Sequence, residues 1–335
     1  MTIKVGINGF GRIGRSVFRI LAARDDIEVV AINDIFSNEA LAYMLQFDTI
    51  MGPFEHTVST DDEAMYYDGK KVLMTAEHEP ANLKWKDLGV DVVVESTGKF
   101  RERADLTKHL AAGARRVLLT VPPKDEVDAM VVMGVNDDVL APEHEIISNA
   151  SCTTNCLAPL AKVLDDAFGI EHGLMTTVHA YTNDQRLADV PHKDLRRSRA
   201  AAENVIPTTT GAARAVGKVL PHLNGKLDGM AARVPVSDGS LVDLVVKLKD
   251  SVDASAVNEA VKKAAEGPLK NVLEYNEASV VSSDIVGNPH SSIFDALVTQ
   301  ARGDGYVRVV SWYDNEWGYS NRCVDLIERL SALGS

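Results

Sequence analysis

The sequence predicts an α/β protein built from two unlike parts. Short apolar runs alternate with helix-like segments over the first 150 residues, starting with a strand at 3–8 and an amphipathic helix at 12–23. Beyond that point, strand-like runs follow one another with few helices between them. Alternation favours a parallel sheet covered by helices, whereas consecutive strands favour antiparallel pairing. We therefore expect a Rossmann-type parallel-sheet domain over 1–150 and an α+β domain with a mostly antiparallel sheet over 151–319.

Local patterns justify each element of the first part. Ile13, Val17 and Leu21 share one face of the first helix, as expected for a helix that packs on a sheet. A later helix at 102–112 ends at Gly113, a common helix-terminating residue. Apolar runs predict the remaining strands at 27–33, 90–96, 116–121, 129–134 and 145–148.

The second part opens with a helix after Ser151, in which we expect Pro159 to introduce a kink. Residues 181–204 are polar and without periodicity, so they predict a long functional loop. The final helix, within 320–335, is expected to pack back on the first domain. Between these features, strands are predicted at 173–180, 228–236, 240–249, 293–300 and 306–313, and helices at 212–220 and 253–265.

Composition excludes several classes of protein. The formal net charge of −13 over 335 residues disfavours nucleic acid as a partner, because an acidic surface repels phosphate. The sequence contains no apolar run of about 18 residues, so no membrane span is predicted. The N-terminal pattern is that of a strand rather than a signal peptide. The small number of cysteines is typical of a reducing compartment. We expect a cytoplasmic protein that binds neither nucleic acid nor membrane.

A glycine motif predicts a dinucleotide site. Gly9, Gly11 and Gly14 form G-x-G-x-x-G between the first strand and the first helix, and Asp34 ends the second strand 20 residues after Gly14. The glycines allow the backbone to approach a pyrophosphate, whose charge the helix N-terminus stabilises. The Asp34 carboxylate can accept hydrogen bonds from ribose hydroxyls and would repel the 2′-phosphate of NADP. The pattern therefore favours NAD.

Cys152 is the candidate nucleophile. It follows Ser151, a good helix cap, so its thiol lies in the first helical turn, where N–H groups and the helix dipole favour the thiolate. His179, near the end of a predicted strand, is the candidate base. Cys156 lies one turn further along the helix, where Cβ atoms about 5–6 Å apart are too distant for a disulfide. We expect Cys156 to be a small buried residue and predict no metal site.

Residue types suited to anions collect in the second part. Arg197 is one of three arginines within 196–199 of the long loop, residues 208–211 form a hydroxyl-rich turn before a helix, and Arg233 ends a strand. Together they suit phosphate, although an arginine cluster is equally typical of a solvated surface. Asn315 lies in a segment rich in Trp and Tyr. It is either part of a core corner or the ligand of a nicotinamide carboxamide.

These segments resemble, together and in order, the phosphorylating glyceraldehyde-3-phosphate dehydrogenase family. The matching motifs are INGFGRIGR, SNASCTTNCLAP, HAYTNDQ, HKDLRRSRAAAENVIPTTTGAA and WYDNEWGYSNR. The resemblance implies that Cys152 adds to glyceraldehyde 3-phosphate as a thiohemiacetal, that NAD accepts a hydride, and that His179 takes the hydroxyl proton. Inorganic phosphate would then release 1,3-bisphosphoglycerate from the thioester. The resemblance also implies a homotetramer with the 181–204 loop at subunit contacts.

Further site residues follow from the resemblance alone. Arg12 and Ile13 correspond to pyrophosphate contacts, and Thr120 to a cofactor contact after a strand. His78 stands near the adenine, where the family often has arginine.

The resemblance implies two phosphate sites. Thr182 and Arg233 correspond to the pair that holds the phosphate of the substrate. The groups around the attacking phosphate correspond to Ser151, Thr153, Arg197, Thr210 and Gly211.

Three other functions fit parts of the sequence. Erythrose-4-phosphate dehydrogenase has the same fold and uses water where phosphate would attack. A thiol hydrolase or acyltransferase could use Cys152 and His179, but it would have no use for the glycine motif and Asp34. A non-enzymatic binding protein would have no use for the cysteine and histidine.

Overall fold

The computed structural model describes residues 2–333 and divides into two compact units. Among these residues, unit 1 contains 2–131, 137–150 and 320–333, and unit 2 contains 132–136 and 151–319. Within the described range, no helix is both long enough and apolar enough to cross a membrane.

Unit 1 is built on a mostly parallel sheet. Its strands lie in the order β3-β4-β5-β2-β1-β6-β7-β9-β8, with β1 at the centre between parallel neighbours. The elements are β1 (Ile3–Asn8), α1 (Arg12–Ala22), β2 (Ile27–Asn33), α2 (Asn38–Gln46), β3 (Val58–Thr60), β4 (Ala64–Tyr67), β5 (Lys70–Thr75), α3 (Trp85–Leu88), β6 (Val92–Glu95), α4 (Arg103–Ala111), β7 (Arg116–Leu119), β8 (Ala129–Met130) and β9 (Ile146–Ser148).

The predicted Rossmann-type sheet is confirmed. Val5 and Ile7 of β1 are completely buried, which explains why this strand is a nearly continuous apolar run. The edge strand β3 and its neighbours β4 and β5 were not predicted, and neither was α2. β3 has only three residues, none of them buried, and α2 buries only Leu41 and Leu45, so neither shows a clear apolar pattern.

Unit 2 contains a mixed sheet packed against a central helix. The strands lie in the order β11-β12-β10-β13-β17-β15-β14, and β16 pairs with β17. The elements are α5 (Cys152–Phe168), β10 (Ile170–Ala180), β11 (Ile206–Thr209), α6 (Ala212–Val219), β12 (Leu227–Val234), β13 (Ser240–Leu248), α7 (Ala254–Glu266), β14 (Leu273–Asn276), α8 (Ser282–Ile285), β15 (Ser292–Asp295), β16 (Gln300–Ala301), β17 (Tyr306–Tyr313) and α9 (Trp317–Ala332), which continues into unit 1.

The expected α+β character of this unit is confirmed. Most described pairings are antiparallel, whereas β10 with β12 and β14 with β15 are parallel. Helix α5 continues through Pro159, and its residues Leu157, Leu160 and Leu164 are fully buried. Residues 181–205 form turns and bends between β10 and β11, as the absence of periodicity predicted.

The last helix ends in unit 1. There Arg116 donates a hydrogen bond to the Leu330 carbonyl at 2.9 Å, and Arg24 forms an ion pair with Glu328. These contacts tie the C-terminal part of α9 to the unit that contains the parallel sheet.

Candidate active site

A thiol and an imidazole meet in unit 2. Cys152 is the first residue of α5, and the Ser151 hydroxyl caps this helix by accepting the Thr154 N–H at 3.0 Å. His179 lies near the end of β10, and its Nε2 is 3.5 Å from the Sγ of Cys152. The helix start and the strand end therefore bring the two predicted residues into contact.

The hydrogen bonds around His179 fix its tautomer. Its Nδ1 lies 2.7 Å from the carbonyl oxygen of Ala180. Nη1 of Arg233 is also close to Nδ1, but its two hydrogens are donated to the Ala180 carbonyl at 3.0 Å and to the Thr182 hydroxyl at 2.8 Å. Nδ1 therefore carries the proton and donates it to Ala180, so the Nε2 lone pair faces the thiol.

The electrostatics favour a neutral resting pair. Burial, together with the positive charge of Arg233, lowers the pKa of His179 to about 3. Burial raises the pKa of the Cys152 thiol, although Arg233 and hydrogen bonds from Thr153 act in the opposite direction. The helix start alone predicted a preformed thiolate. In the folded unit, desolvation outweighs that effect, and the neutral imidazole is placed to accept the thiol proton.

Thr153 contacts the reacting sulfur as well as the protein interior. Its N–H and hydroxyl are placed to hydrogen-bond the Cys152 thiolate. The hydroxyl also lies 2.8 Å from the Tyr313 hydroxyl, which lies 2.8 Å from that of Thr177. The Tyr313 ring meets the His179 ring edge to face, with 5.8 Å between centroids. Tyr313 therefore supports both the base and the nucleophile, a role that its sequence context did not reveal.

Three of the predicted anion ligands form one connected network. Thr182 accepts from Arg233 and donates to Asp184, which forms an ion pair with Arg197. Burial raises the pKa of Asp184, but the Thr182 hydrogen bond and the two arginines outweigh burial and hold this pKa below its usual value. Sequence reasoning missed Asp184, although it lies inside the HAYTNDQ segment. An entering anion would compete with this carboxylate for Arg197.

A second helix start lies beside that of α5. Gly211 precedes α6 and provides no side-chain cap, and the Thr210 hydroxyl accepts the Ala212 N–H at 3.2 Å. The Thr154 hydroxyl lies 3.5 Å from the Ala212 carbonyl. Thr210 and Gly211 are therefore close to the first turn of the helix that begins with Cys152, as a shared anion site requires.

In unit 1, the glycine turn has the shape of a nucleotide cradle. Gly9 has φ +95°, and a Cβ on Gly14 would lie 2.1 Å from the Gly9 carbonyl oxygen, so both positions require glycine. A Cβ on Gly11 would point into open space. Gly11 also leaves α1 without a side-chain cap. The turn thus combines close backbone packing with an open, uncapped helix start, which fits a pyrophosphate.

Asp34 lies beside this turn. One of its carboxylate oxygens accepts the Phe10 N–H at 2.7 Å, which fixes the side chain next to the glycines. A carboxylate oxygen has two lone pairs, so both oxygens retain acceptor capacity for ribose hydroxyls. The geometry fits NAD.

The other predicted cofactor residues have different surroundings. Arg12 forms an ion pair with Asp48, and Ile13 is partly buried in the first turn of α1. Thr120 is buried and donates to the Glu95 carbonyl at 3.0 Å, whereas His78 is exposed. Asn315, in unit 2, is buried and accepts a hydrogen bond from Ser240 at 2.6 Å. Within residues 2–333, no group of three or more metal-ligating side chains comes together.

Fold and site together define an NAD-dependent oxidoreductase with a cysteine–histidine pair in its second unit. Two family models match the chain: the NAD binding domain of glyceraldehyde 3-phosphate dehydrogenase over residues 3–103 and its C-terminal domain over 151–315. The chain belongs to the glyceraldehyde 3-phosphate dehydrogenase family.

Curated relatives agree along the whole chain. Identity is 57% over 329 residues with glyceraldehyde-3-phosphate dehydrogenase of Streptomyces coelicolor, covering 97% of this chain and 98% of the relative. It is 55% over 335 residues with the Geobacillus stearothermophilus enzyme, covering 100% of both chains. It is 57% over 334 residues with the Mycobacterium avium enzyme, covering 98% of both. The predicted family, NAD cofactor and dehydrogenase activity are confirmed.

Proposed function

We propose that this chain catalyses the NAD-dependent oxidative phosphorylation of D-glyceraldehyde 3-phosphate, with Cys152 as the nucleophile and His179 as the acid–base group. The observation that carries these two roles is the 3.5 Å approach of Sγ to Nε2. The tautomer of His179 supports them, because a lone pair on Nε2 can accept the thiol proton.

The chemistry follows from these two side chains. The Cys152 sulfur bonds to the aldehyde carbon, and its proton passes through Nε2 of His179 to the aldehyde oxygen, which gives a thiohemiacetal. NAD, when bound, accepts the hydride from that carbon. His179 takes the hydroxyl proton at the same stage, so a thioester forms. The low pKa of His179 makes the resulting imidazolium a ready proton donor later in the cycle.

Inorganic phosphate completes the reaction. A phosphate oxygen bonds to the acyl carbon, the C–S bond breaks, and the sulfur leaves with the proton held by His179. We assign the phosphate of the substrate to Thr182 and Arg233, which are already in contact. The attacking phosphate is assigned to the two adjacent helix starts and the nearby arginine: Ser151, Thr153, Arg197, Thr210 and Gly211.

The cofactor ligands are proposed from unit 1 and one residue of unit 2. Asp34 would bind the ribose, Thr120 and His78 would contact the adenosine end, and Asn315 would bind the carboxamide. The pyrophosphate would lie on the glycine turn and helix start: Gly9, Gly11, Arg12, Ile13 and Gly14. We accordingly assign NAD binding to 1–150 with the final helix, and catalysis to 151–319.

We also propose a cytoplasmic homotetramer with the 181–204 loop at subunit contacts. Leu187 and Leu195 in this loop are 85% and 81% exposed, and Leu174 on the face of the mixed sheet is 69% exposed. Large exposed apolar side chains of this kind are typical of surfaces that a partner covers. None of the three cysteines forms a disulfide in the described part of the chain, which suits a reducing compartment.

The test is NADH formation from D-glyceraldehyde 3-phosphate and NAD, with and without phosphate, and repeated with NADP. We expect sustained turnover only when phosphate or arsenate is present, and a strong preference for NAD. Sustained phosphate-independent turnover would contradict the proposal, as would a preference for erythrose 4-phosphate.

The proposed tetramer is tested by sedimentation, which should give about four times the 36.3 kDa mass of one chain. A monomeric mass would contradict the tetramer.

A further inference from the structure

A buried serine holds the side chain of Asn315. Ser240 is the first residue of β13 and pairs with Tyr313 of β17, two residues before Asn315. The Ser240 Oγ lies 2.6 Å from the Asn315 Oδ1, and both residues are buried, at 1% and 4% exposure. This short contact between two enclosed polar groups constrains the amide strongly.

The direction of this hydrogen bond follows from its neighbour. The Ala180 N–H donates to Ser240 Oγ at 3.0 Å, so the serine oxygen already accepts. The serine hydrogen is then available for Asn315 Oδ1, which can only accept. With Oδ1 held at Ser240, the Nδ2 hydrogens lie at the opposite end of the Asn315 amide, where they can be offered to a ligand.

The main chain around Asn315 is also fixed. One Asp314 carboxylate oxygen accepts the N–H groups of Glu316 and Trp317, at 2.8 and 2.6 Å. The other accepts the Gly287 N–H at 2.7 Å. With the backbone held in this way, Asn315 can move only by rotation about its side-chain bonds. The hydrogen bond with Ser240 restricts that rotation.

The same backbone segment connects Asn315 to the base. The Ala180 carbonyl accepts from His179 and from Arg233, whereas the Ala180 N–H donates to Ser240. A displacement of the end of β10 would therefore alter His179 and Asn315 together.

We propose that Ser240 is a positioning residue for the nicotinamide. It holds the Asn315 amide with Nδ2 towards the carboxamide carbonyl and so selects one orientation of the nicotinamide ring. This inference rests on the proposed function, because it assumes that Asn315 binds the carboxamide.

The test compares Ser240→Ala with the unaltered protein in two binding measurements made without substrate. The dissociation constant for NAD, measured by calorimetry, should rise about three- to tenfold, which corresponds to the loss of one hydrogen bond. Transferred nuclear Overhauser effects from the nicotinamide protons to the ribose H1′ should show one glycosidic conformer in the unaltered protein and a mixture in the variant. A merely structural role would not produce this mixture.

Ser292→Ala is the matched control. Ser292 is completely buried in β15, and its hydroxyl lies 2.7 Å from that of Ser311. Its loss removes a buried hydroxyl of unit 2 without touching Asn315, so the affinity for NAD and the single conformer should remain. If Ser240→Ala behaves like Ser292→Ala in both measurements, the inference is overturned.

A second measurement needs no variant and covers the case in which Ser240→Ala fails to fold. The 3-acetylpyridine analogue of NAD keeps the carbonyl but lacks the amide N–H groups. The inference predicts a single conformer and a dissociation constant within about threefold of that for NAD. Much weaker binding would mean that Asn315 presents Oδ1, which would overturn the role of Ser240. Absence of NADH formation by the unaltered protein would instead overturn the proposed function.

Discussion

At the scale of single residues, the reactivity of Cys152 depends on what surrounds it. The helix start and Arg233 favour the thiolate, but burial favours the thiol. In the proposed mechanism, its 3.5 Å contact with a neutral imidazole resolves this competition, because the proton would move to Nε2 when the substrate arrives. Cys156, four residues later, has no such partner: it contacts Ser292 and Ser311, and burial raises the pKa of its thiol to about 12.

We expect Cys152→Ser to lose at least about a thousandfold in turnover, because an alcohol is a far weaker nucleophile than a thiol with an adjacent base. NAD binding, measured by calorimetry, should change little. Cys156→Ser is the control and should stay active. A Cys152→Ser protein with near-normal rates would rule out the covalent route.

Iodoacetamide should also label Cys152 well before Cys156 and Cys323, because the latter two are completely buried. Equal labelling of the three cysteines would contradict an accessible reactive thiol at Cys152.

Asp34 is the residue expected to set the cofactor preference. Asp34→Ala should raise the ratio of kcat/KM for NADP to that for NAD by about tenfold or more, since the repelling charge is removed. Because Asp34 also accepts the Phe10 N–H, Asp34→Asn is the cleaner variant: it keeps an acceptor there and removes only the charge. An unchanged ratio in both variants would exclude the ribose role.

At the scale of elements, two turns next to strands hold buried acids of unit 2. Asp238 lies in the turn before β13, and Asp314 lies in the turn after β17. Burial, and then the negative charges of Asp314 and Glu316, raise the pKa of Asp238 to about 9. Asp238 is therefore protonated at neutral pH and can donate to Asp314, which ties the two turns together.

This protonation makes the stability of the protein depend on pH. In the unfolded chain, Asp238 releases its proton near its ordinary pKa of 3.8, whereas the folded state keeps it up to about 9. Between these values the folded state binds one more proton, so the free energy of unfolding falls as pH rises, by at most about 1.4 kcal/mol per unit. Asp238→Asn keeps the shape and a donor but cannot titrate.

We therefore expect the free energy of unfolding, measured in urea, to fall less for Asp238→Asn than for the unaltered protein when the pH is raised from 6 to 8. Both proteins must be measured at one protein concentration, because subunit association would add to the apparent stability. A parallel pH dependence in the two proteins would show that Asp238 keeps its ordinary pKa.

At the scale of the whole molecule, the sequence predicted the elements whose signals are local. β1, β2, β10 and α5 carry apolar patterns that burial imposes, and the glycine motif is followed by an acidic residue at a diagnostic spacing. The short strands β3 and β11, of three and four residues, have no such pattern. The placement of Cys152 at a helix start was predictable for the same reason, since a capping serine precedes an apolar periodic run.

The partners of the site residues were not predictable. Tyr313 is far from Cys152 in the sequence, and Ser240 is far from Asn315. Asp184 lies in a loop without periodicity. Strand pairing brings Ser240 opposite Tyr313, and the loop after β10 brings Asp184 to Arg197. Pairings of this kind depend on which strands become neighbours, and no local pattern encodes that choice.

Local signals in the chain were enough to predict the family, the cofactor class and the candidate nucleophile, because glycine turns, helix caps and reactive side chains act through their immediate neighbours. The protonation of the thiol and imidazole, the tautomer of His179 and the orientation of Asn315 follow only from the folded structure. Those properties depend on desolvation and on hydrogen bonds between distant segments, which exist only once the mixed sheet has formed.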